Sequence, residues 1–160
     1  SHWSNPNIGG VDDRTGKPFV FYDMVLAGYG GRAHSDGPQG LAPVMNCSNI
    51  PVEVHETVNP VLIHRVEFID GTGGSGRFRG GDGLRKDVEL LAESGTLTLL
   101  GDRHDSQPYG LFGGEPGAVG ETVLNPDGNG ERLGSKEIRT LKRGDVLSIR
   151  LSGAGGYGAP

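Results

Sequence analysis

The sequence predicts a mainly β fold, or an α+β fold with few helices, built as a twisted sheet or a sandwich with long glycine-rich loops. Two observations indicate strands: apolar segments of strand length recur along the chain, and glycine, proline, asparagine or aspartate bounds each of them. A third argues against helices, because no window of eleven residues has a convincing amphipathic helical pattern.

Six segments are predicted to be strands. The first is rich in aromatic and branched residues, the second alternates clearly, the third alternates less strictly and the fourth is short and apolar. In chain order they are 18–27, Val61–Ile69, 85–91, 96–100, 119–124 and 146–151.

The second strand and one loop allow finer predictions. Strict alternation along Val61–Ile69 would put Val61 and Ile63 on one face and Val66 and Phe68 on the other. Residues 125–131 are rich in Asn, Asp and Gly and predict a hairpin loop, in which Asn and Asp tolerate left-handed backbone angles and Gly128 and Gly130 adopt them.

Composition and charge exclude several classes of protein. Glycine fills 30 of 160 positions and proline 10, yet the glycines separate clean apolar segments, so a folded chain is expected. The net charge of −5 argues against nucleic acid and acidic membranes as partners. No apolar run approaches the roughly 18 residues of a membrane span, so no membrane partner is expected. The single cysteine, Cys47, rules out an internal disulfide and predicts a cytoplasmic location.

The densest glycine segment spans residues 71–83. Gly71, Gly73 and Gly76 have the spacing of a dinucleotide fingerprint directly after a strand. That fingerprint needs a following helix, and the further glycines of 77–83 oppose one. A phosphate-binding P-loop would also need Lys and Ser or Thr where the chain has Arg77 and Phe78. We therefore favour a tight, buried turn in which backbone packs against backbone.

A second cluster, Asp102-Arg-His-Asp105, follows the apolar segment 96–100. Its histidine and carboxylates suit general acid-base chemistry or metal binding. Alternation in a strand would put Asp102 and His104 on one face and Arg103 on the other. A structural ion-pair network is the alternative that the sequence alone favours.

No metal site is expected within this chain, because its five histidines never fall in H-x-H or H-x-x-x-H spacing. His64 lies within an apolar strand and is expected to be a hydrogen-bonded core residue. Cys47 is interpreted as a small core residue rather than a nucleophile. Ser1 could be a nucleophile that uses its own α-amine as a base, but the residues after it do not favour this interpretation.

Several motifs, taken together, resemble the hydantoinase B/oxoprolinase family. They are Trp3-Ser-Asn-Pro-Asn-Ile-Gly-Gly10, Pro18-Phe-Val-Phe-Tyr-Asp23 running into Gly28-Tyr-Gly-Gly-Arg32, Asn49-Ile-Pro-Val-Glu-Val-His-Glu56, the loop 73–83, Asp102-Arg-His104, Gly110-Leu-Phe-Gly-Gly114 and Gly153-Ala-Gly-Gly-Tyr-Gly158. The resemblance covers essentially all of the chain. The stretch Asn46-Cys-Ser-Asn-Ile-Pro-Val-Glu53 is especially similar to the branch that holds acetophenone carboxylase.

The resemblance implies that residues 1–160 are a single β-rich unit, equivalent to the C-terminal portion of a B-type subunit. It also implies a multi-subunit enzyme. A hydantoinase A-type subunit would use ATP to phosphorylate a carbonyl or amide oxygen of a small-molecule substrate, and the B-type component would resolve the intermediate. The N-terminal portion of that component would carry the metal ligands. ATP and a divalent metal are thus expected on partner chains, and no cofactor on this chain alone.

The reaction implied is hydrolysis of a cyclic amide. Two alternatives stay open: a subunit of an ATP-dependent ketone carboxylase of the acetophenone or acetone type, and a non-catalytic β scaffold subunit. The isolated chain is expected to be inactive, since it lacks both a complete P-loop and a set of metal ligands.

The resemblance and the chemistry of the side chains together suggest site residues. Asp102, Arg103 and His104 are the candidate catalytic residues. The candidates for binding substrate or phosphate are Arg77, Arg79, Gly80 and Gly81, because Arg side chains and backbone amides bind anions. Replacing Gly80 by Val is expected to disturb folding, on the argument that this loop needs backbone angles forbidden to branched residues.

Overall fold

The computed structural model describes residues 3–41 and 48–160. Within them, ten strands form two five-stranded antiparallel sheets, and there is one short helix. The first sheet has the order β2-β1-β6-β9, with β3 paired to the start of β1, and the second has the order β4-β5-β10-β7-β8. The elements are β1 (Trp3–Asp12), β2 (Lys17–Tyr22), β3 (Val25–Leu26), α1 (Val52–Val58), β4 (Val61–Ile69), β5 (Gly83–Leu90), β6 (Ser94–Gly101), β7 (Glu121–Leu124), β8 (Glu131–Leu133), β9 (Lys136–Lys142) and β10 (Val146–Arg150).

The two sheets pack into a sandwich, which confirms the predicted mainly β fold. Leu97, Leu99 and Leu141 of the first sheet belong to the same buried cluster as Val88 and Ile149 of the second. Burial of such side chains stabilises the fold by about 1.5–3 kcal/mol for each fully buried residue.

The six predicted strands all exist, with shifted boundaries and additions. The predicted segment 18–27 divides into β2 and β3, separated by Asp23 and Met24. Sequence analysis missed β1, β8 and β9. β1 contains Pro6, Gly9 and Gly10, residues that normally argue against a strand, and β9 is largely polar. Gly10 is required there, because a Cβ would lie 2.7 Å from the Ser94 carbonyl oxygen.

β4 differs from the predicted alternation because it contains a bulge at His64. Ile63 pairs with Val88, whereas Arg65 pairs with the adjacent Asp87, so two steps along β4 match one step along β5. Val66 and Phe68 consequently pair with Lys86 and Leu84 and lie on the same face as Val61 and Ile63. The prediction that they lie on the opposite face is therefore wrong.

The helix α1 was not expected. It has only seven residues, fewer than the window in which a helical pattern was sought. Pro51 precedes it, and Asn59 ends it by donating its backbone N–H to the His55 carbonyl over 2.9 Å. In the described part of the chain, no helix has the length and apolar character needed to cross a membrane.

The predicted hairpin loop joins β7 to β8. Its left-handed residue is Asn125, with φ of 53°, and not Gly128 or Gly130 as expected. The Asn125 side chain explains this, because it donates to the Asp145 carboxylate over 2.9 Å and accepts from the Val146 amide over 2.8 Å. These bonds offset the cost of the left-handed angle.

Glycine-rich segments outside the strands form a second packed region, which we call the glycine core: residues 28–31, 73–81, 110–117 and 153–158. Its segments are joined by backbone hydrogen bonds, such as Gly31 N–H to the Gly155 carbonyl (2.9 Å) and Gly74 N–H to the Ala154 carbonyl (2.8 Å). A Cβ at Gly80 would lie closer than 3.0 Å to the Ala154 carbonyl oxygen. The predicted packing of backbone against backbone is confirmed.

Candidate functional site

The loop Asp102-Arg-His104 begins directly after β6 ends at Gly101. Asp102 is exposed, Arg103 is partly exposed and His104 is buried. Arg103 has a φ of 59°, which turns the backbone out of the strand conformation. The prediction that Asp102 and His104 share a strand face is therefore wrong. Among the described residues, no ion pair involves Asp102 or Arg103, so the ion-pair network considered above is not found for them.

His104 is packed into the protein beside the end of β6. Its ring lies 3.3 Å from the position that a Cβ on Gly101 would occupy, and its backbone carbonyl accepts a hydrogen bond of 2.9 Å from Arg132. Burial lowers the pKa of His104 below its ordinary 6.5, and the nearby Arg132 charge lowers it further. The imidazole is thus neutral near pH 7. It packs against the end of β6.

Arg103 lines a cavity of about 220 Å³. The cavity lies between parts of the chain far apart in sequence, and the glycine core supplies much of its wall. Its lining residues are Tyr29, Gly30, Gly31, Arg103, Pro108, Tyr109, Leu111, Gly155 and Gly156. The structure therefore assigns Arg103 alone, out of the three candidate catalytic residues, to the wall of this cavity.

The second candidate set lies apart from that cavity. The Arg79 side chain pairs with Asp82, and the Arg77 guanidinium lies 5.5 Å from the centre of the Phe78 ring. The amides of Gly80 and Gly81 already donate to the carbonyls of Gly74 (2.9 Å) and Tyr29 (2.8 Å). A phosphate could use these amides only if those bonds opened. The anion-binding role of this segment stays a prediction that depends on its two arginines.

The dinucleotide reading of the same segment fails on geometry. No helix follows Gly76, and a Cβ there would lie 2.8 Å from the Gly158 carbonyl oxygen. Gly71 has a φ of 75° and forms the turn after β4. The preference for a structural turn over a nucleotide site is confirmed.

A buried charged cluster escaped the sequence analysis. The Lys86 ammonium on β5 lies 2.5 Å from Asp23 Oδ2, and His55 Nε2 on α1 lies 3.4 Å from Asp23 Oδ1. All three side chains are at least 97% buried, with exposures of 2%, 0% and 3% for Lys86, Asp23 and His55. One signal could have revealed it: Lys86 occupies a strand position that alternates with Leu84 and Val88.

The cluster holds its histidine neutral. Burial lowers the pKa of His55 below 6.5, the Lys86 charge lowers it further, and Asp23 opposes both effects. The Phe21 ring packs against the imidazole, with ring centres 4.8 Å apart. The cluster therefore joins α1, β5 and the segment after β2 through charge and packing.

The remaining candidates have mixed outcomes. His64 is not a core residue: its side chain is 45% exposed and pairs with Glu89 at 2.6 Å. The readings of Ser1 and Cys47 concern residues outside the described ranges. Within the described ranges, no group of three or more His, Cys, Asp or Glu side chains is placed to hold a metal ion.

Comparison with known proteins gives a consistent picture. A family model described as hydantoinase B/oxoprolinase matches residues 1–160. The 5-oxoprolinase of Dictyostelium discoideum is 31% identical over 140 residues, which cover 86% of this chain and 11% of that protein. The B-type subunit of a putative D-/L-hydantoinase from Pseudomonas sp. (strain NS671) is 31% identical over 146 residues, covering 89% of this chain and 24% of that protein.

Two solved structures share the fold. The ATP-dependent caprolactamase from Pseudomonas jessenii superposes with a TM-score of 0.84 at 25% identity, over 99% of this chain and 30% of that chain. A nucleotide-free acetone carboxylase superposes with a TM-score of 0.73 at 21% identity, over 99% of this chain and 25% of that chain. The chain spans between 11% and 26% of the length of the curated relatives.

Proposed function

The chain belongs to the hydantoinase B/oxoprolinase family, and from this premise we propose that it is part of an ATP-dependent enzyme that hydrolyses a cyclic amide. The likeness to the caprolactamase carries the proposal, because a caprolactam is a cyclic amide and the fold agrees over 99% of the chain. The similarity to acetone carboxylase, at 21% identity, supports the shared fold alone. Ketone carboxylation is therefore the second candidate.

The catalytic unit we propose is larger than this chain. A hydantoinase A-type subunit would activate the amide oxygen with ATP, and the N-terminal portion of a B-type component would supply a divalent metal. The support is that the matched region spans only 11% to 26% of the length of the curated relatives, so most of each relative lies outside it. This assembly would work in the cytoplasm.

The role we propose for this chain is to shape one wall of the active site. The glycine core is joined by backbone hydrogen bonds and contains few side chains that can change rotamer, so it holds neighbouring groups in place. It meets the loop 102–104, whose backbone is tied to the segment before β7 because the Gly120 amide donates to the Arg103 carbonyl over 2.9 Å. A rigid wall of this kind excludes water from an activated intermediate.

An exposed apolar surface next to β4 indicates a binding site for a partner chain. Val66 and Phe68 lie on the core-facing side of the second sheet, yet they are 46% and 45% exposed. β4 is also an edge strand, so one row of its backbone groups faces no other described strand, although the Ile63 amide donates to the Glu56 carboxylate over 2.8 Å. We assign this surface to the N-terminal portion of the B-type component, since a chain that spans 30% of the caprolactamase chain leaves most of that protein to cover it.

The test is turnover by the assembled enzyme. The chain would be co-expressed with an A-type subunit and the N-terminal portion, and ATP hydrolysis would be measured with caprolactam, 5-oxoproline and hydantoin. We expect ATP-dependent ring opening of at least one substrate without bicarbonate, and none from the isolated chain. Turnover that requires bicarbonate would favour carboxylation, and robust ATP hydrolysis by the 160-residue chain would contradict the proposed division of labour.

The role of His104 is tested in the same assay. His104→Ala is expected to lower kcat by about tenfold while KM and assembly stay unchanged, because His104 positions the loop and does not touch the cavity. His34→Ala serves as the matched control, since that histidine is exposed and lies outside the cavity. Loss of activity only in proportion to loss of complex would show that His104 acts through stability alone.

A further inference from the structure

The cavity beside Arg103 has walls that are set before any ligand arrives. Gly31 N–H donates to the Gly155 carbonyl and Leu111 N–H to the Gly156 carbonyl, each over 2.9 Å. These bonds join three of the chain segments that line the cavity. A ligand entering it would meet a preorganised site, which lowers the entropic cost of binding.

The Arg103 guanidinium has no ion-pair partner among the described residues. Within residues 3–41 and 48–160, it makes no ion pair or side-chain hydrogen bond, although Asp102 and Asp105 flank it closely in sequence. Other arginines of the sandwich are paired, for example Arg85 with Asp87 at 2.7 Å and Arg150 with Glu121 at 2.6 Å. A guanidinium that is unpaired at a cavity wall is free to bind an anionic ligand there.

The backbone of Arg103 is strained to hold this position. Its φ of 59° is a left-handed angle that is unfavourable for a non-glycine residue. The Gly120 amide helps to maintain it by donating to the Arg103 carbonyl over 2.9 Å. Strain of this kind collects at sites where a side chain must point in one direction.

Other donors accompany the guanidinium. Gly30 and Gly155 line the cavity, and in the described part of the chain neither backbone amide donates to an acceptor. Tyr29 and Tyr109 are the aromatic residues among its described lining. The cavity is thus lined by one arginine, two glycines with undonated amides and two tyrosines, and no carboxylate is found among the lining residues that the structure describes.

We propose that this cavity binds the oxyanion of a small, flat organic compound, either a carboxylate or a phosphate ester. A guanidinium fork matches the geometry of both oxyanions. The volume of 220 Å³ is below the roughly 300 Å³ at which drug-sized pockets begin, so the ligand is small. The two tyrosines suit a ring or another flat group attached to the anion. This inference rests on the proposed function in one respect only, namely the identity of the molecule that carries the oxyanion.

Binding to the isotopically labelled 160-residue chain tests the inference without any partner subunit. Three probes are titrated while backbone amide shifts are followed: benzoate, inorganic phosphate and benzamide. We expect benzoate and phosphate to shift the Gly30 and Gly155 amides, and the neutral benzamide to leave them unchanged. A response to benzoate alone assigns the cavity to carboxylates, and a response to phosphate alone assigns it to phosphate esters.

Two variants localise the effect. Arg103→Gln is expected to weaken anion binding by at least about tenfold, the cost of losing one charge-assisted contact. Arg143→Gln is the control, because Arg143 is exposed and lies outside the cavity, so this variant is expected to bind as tightly as the unaltered chain. If Arg103→Gln does not fold, Arg103→Lys replaces it, since lysine keeps the charge and loses the fork.

Three results would overturn the inference: no response to either anion, equal binding by Arg103→Gln, or equal binding of benzamide. If neither Arg103 variant folds, the unaltered chain decides. The inference is then overturned if the anions shift backbone amide signals of other residues but not those of Gly30 and Gly155. An assembled enzyme that turns over while the cavity binds no anion would reject the inference and leave the proposed function intact. Anion binding by the chain with no turnover by the assembled enzyme would support the inference and reject the proposed function.

Discussion

At the scale of single residues, Lys86 has the largest energetic consequence. Its ammonium and the Asp23 carboxylate are both almost fully buried and lie 2.5 Å apart. Taking two charges out of water is costly, and their mutual attraction roughly offsets that cost only while both are present. The pair therefore joins β5 to the segment after β2 by a buried contact that is stable only while both charges are present.

Removing one partner should be far more harmful than removing both. Lys86→Met would leave Asp23 buried without a counter-charge, and we expect it to lower the free energy of unfolding by about 3–5 kcal/mol. The double variant Lys86→Met/Asp23→Asn should recover part of that loss, because no charge remains buried. Urea unfolding of the chain measures both, and equal losses in the single and double variants would show that the charges are not coupled.

The two buried histidines predict how stability depends on pH. The pKa values of His55 and His104 are lowered in the folded chain, mainly by burial, whereas the unfolded chain titrates near 6.5. Below that pH the unfolded state binds more protons than the folded state, so stability falls as the pH decreases through and below 6.5.

A pair of substitutions checks this dependence. Thermal melting between about pH 7.5 and pH 5.5 should show Tm falling toward acid, since carboxylates ordinarily titrate below this range. His55→Gln/His104→Gln should flatten the slope, even if it lowers Tm at every pH. His34→Gln is the control, since that histidine is exposed. A slope that the first pair leaves unchanged would assign the acid sensitivity to other groups.

At the scale of structural elements, most glycines of the glycine core are required by close approach, and left-handed backbone angles occur in it only at Phe112, Gly113 and Gly158. Gly80 and Gly153 do not have positive φ, yet a Cβ on either would lie closer than 3.0 Å to a backbone carbonyl oxygen of a neighbouring segment. The reason first given for the sensitivity of Gly80 is thus wrong for this residue, although the sensitivity itself is still expected. Side-chain size is what these positions exclude.

Two glycine substitutions separate close packing from backbone freedom. Gly80→Ala should destabilise the chain by ~3 kcal/mol or more, because overpacking against backbone cannot relax by a rotamer change. Gly128→Ala should stay within about 0.5 kcal/mol of the unaltered chain, since the nearest neighbour of its Cβ would be the Asn125 carbonyl oxygen at 3.8 Å. Chemical denaturation compares the two, and similar losses would mean that the core tolerates a methyl group.

At the scale of the whole molecule, two apolar side chains of β4 are exposed where the sandwich is incomplete. The bulge at His64 turns Val66 and Phe68 toward the side on which the core lies, but nothing in the described chain covers them fully. Contiguous exposed apolar surface of this kind marks an interaction site. It agrees with the proposed position of the N-terminal portion of the B-type component.

Charge introduced at this surface should block assembly without unfolding the chain. Val66→Lys/Phe68→Lys is expected to reduce co-purification of the N-terminal portion by at least about tenfold, because buried unpaired charges oppose association. Val20→Lys, on β2 of the other sheet and 68% exposed, is the control. Size-exclusion profiles and melting curves of each variant alone would show whether folding is retained; normal assembly of the double variant would place the partner elsewhere.

The sequence alone was sufficient for the features that depend on near neighbours. Alternation and turn residues predicted every strand with a dense apolar pattern, and the missing helix after Gly76 was enough to reject a dinucleotide site. Sequence analysis missed elements whose local composition is untypical of their secondary structure. β1 is rich in polar residues and glycine, and α1 is shorter than the windows that reveal helical periodicity.

Only the tertiary structure decided which residues meet. The bulge at His64 sets the face of everything after it in β4, and no local pattern encodes that shift. Lys86, Asp23 and His55 come from three separate parts of the chain, so their contact depends on how the sheets and α1 pack. The same holds for the cavity at Arg103, which exists because hydrogen bonds between distant glycine segments build its walls. Side-chain chemistry is local, whereas proximity is a property of the folded chain.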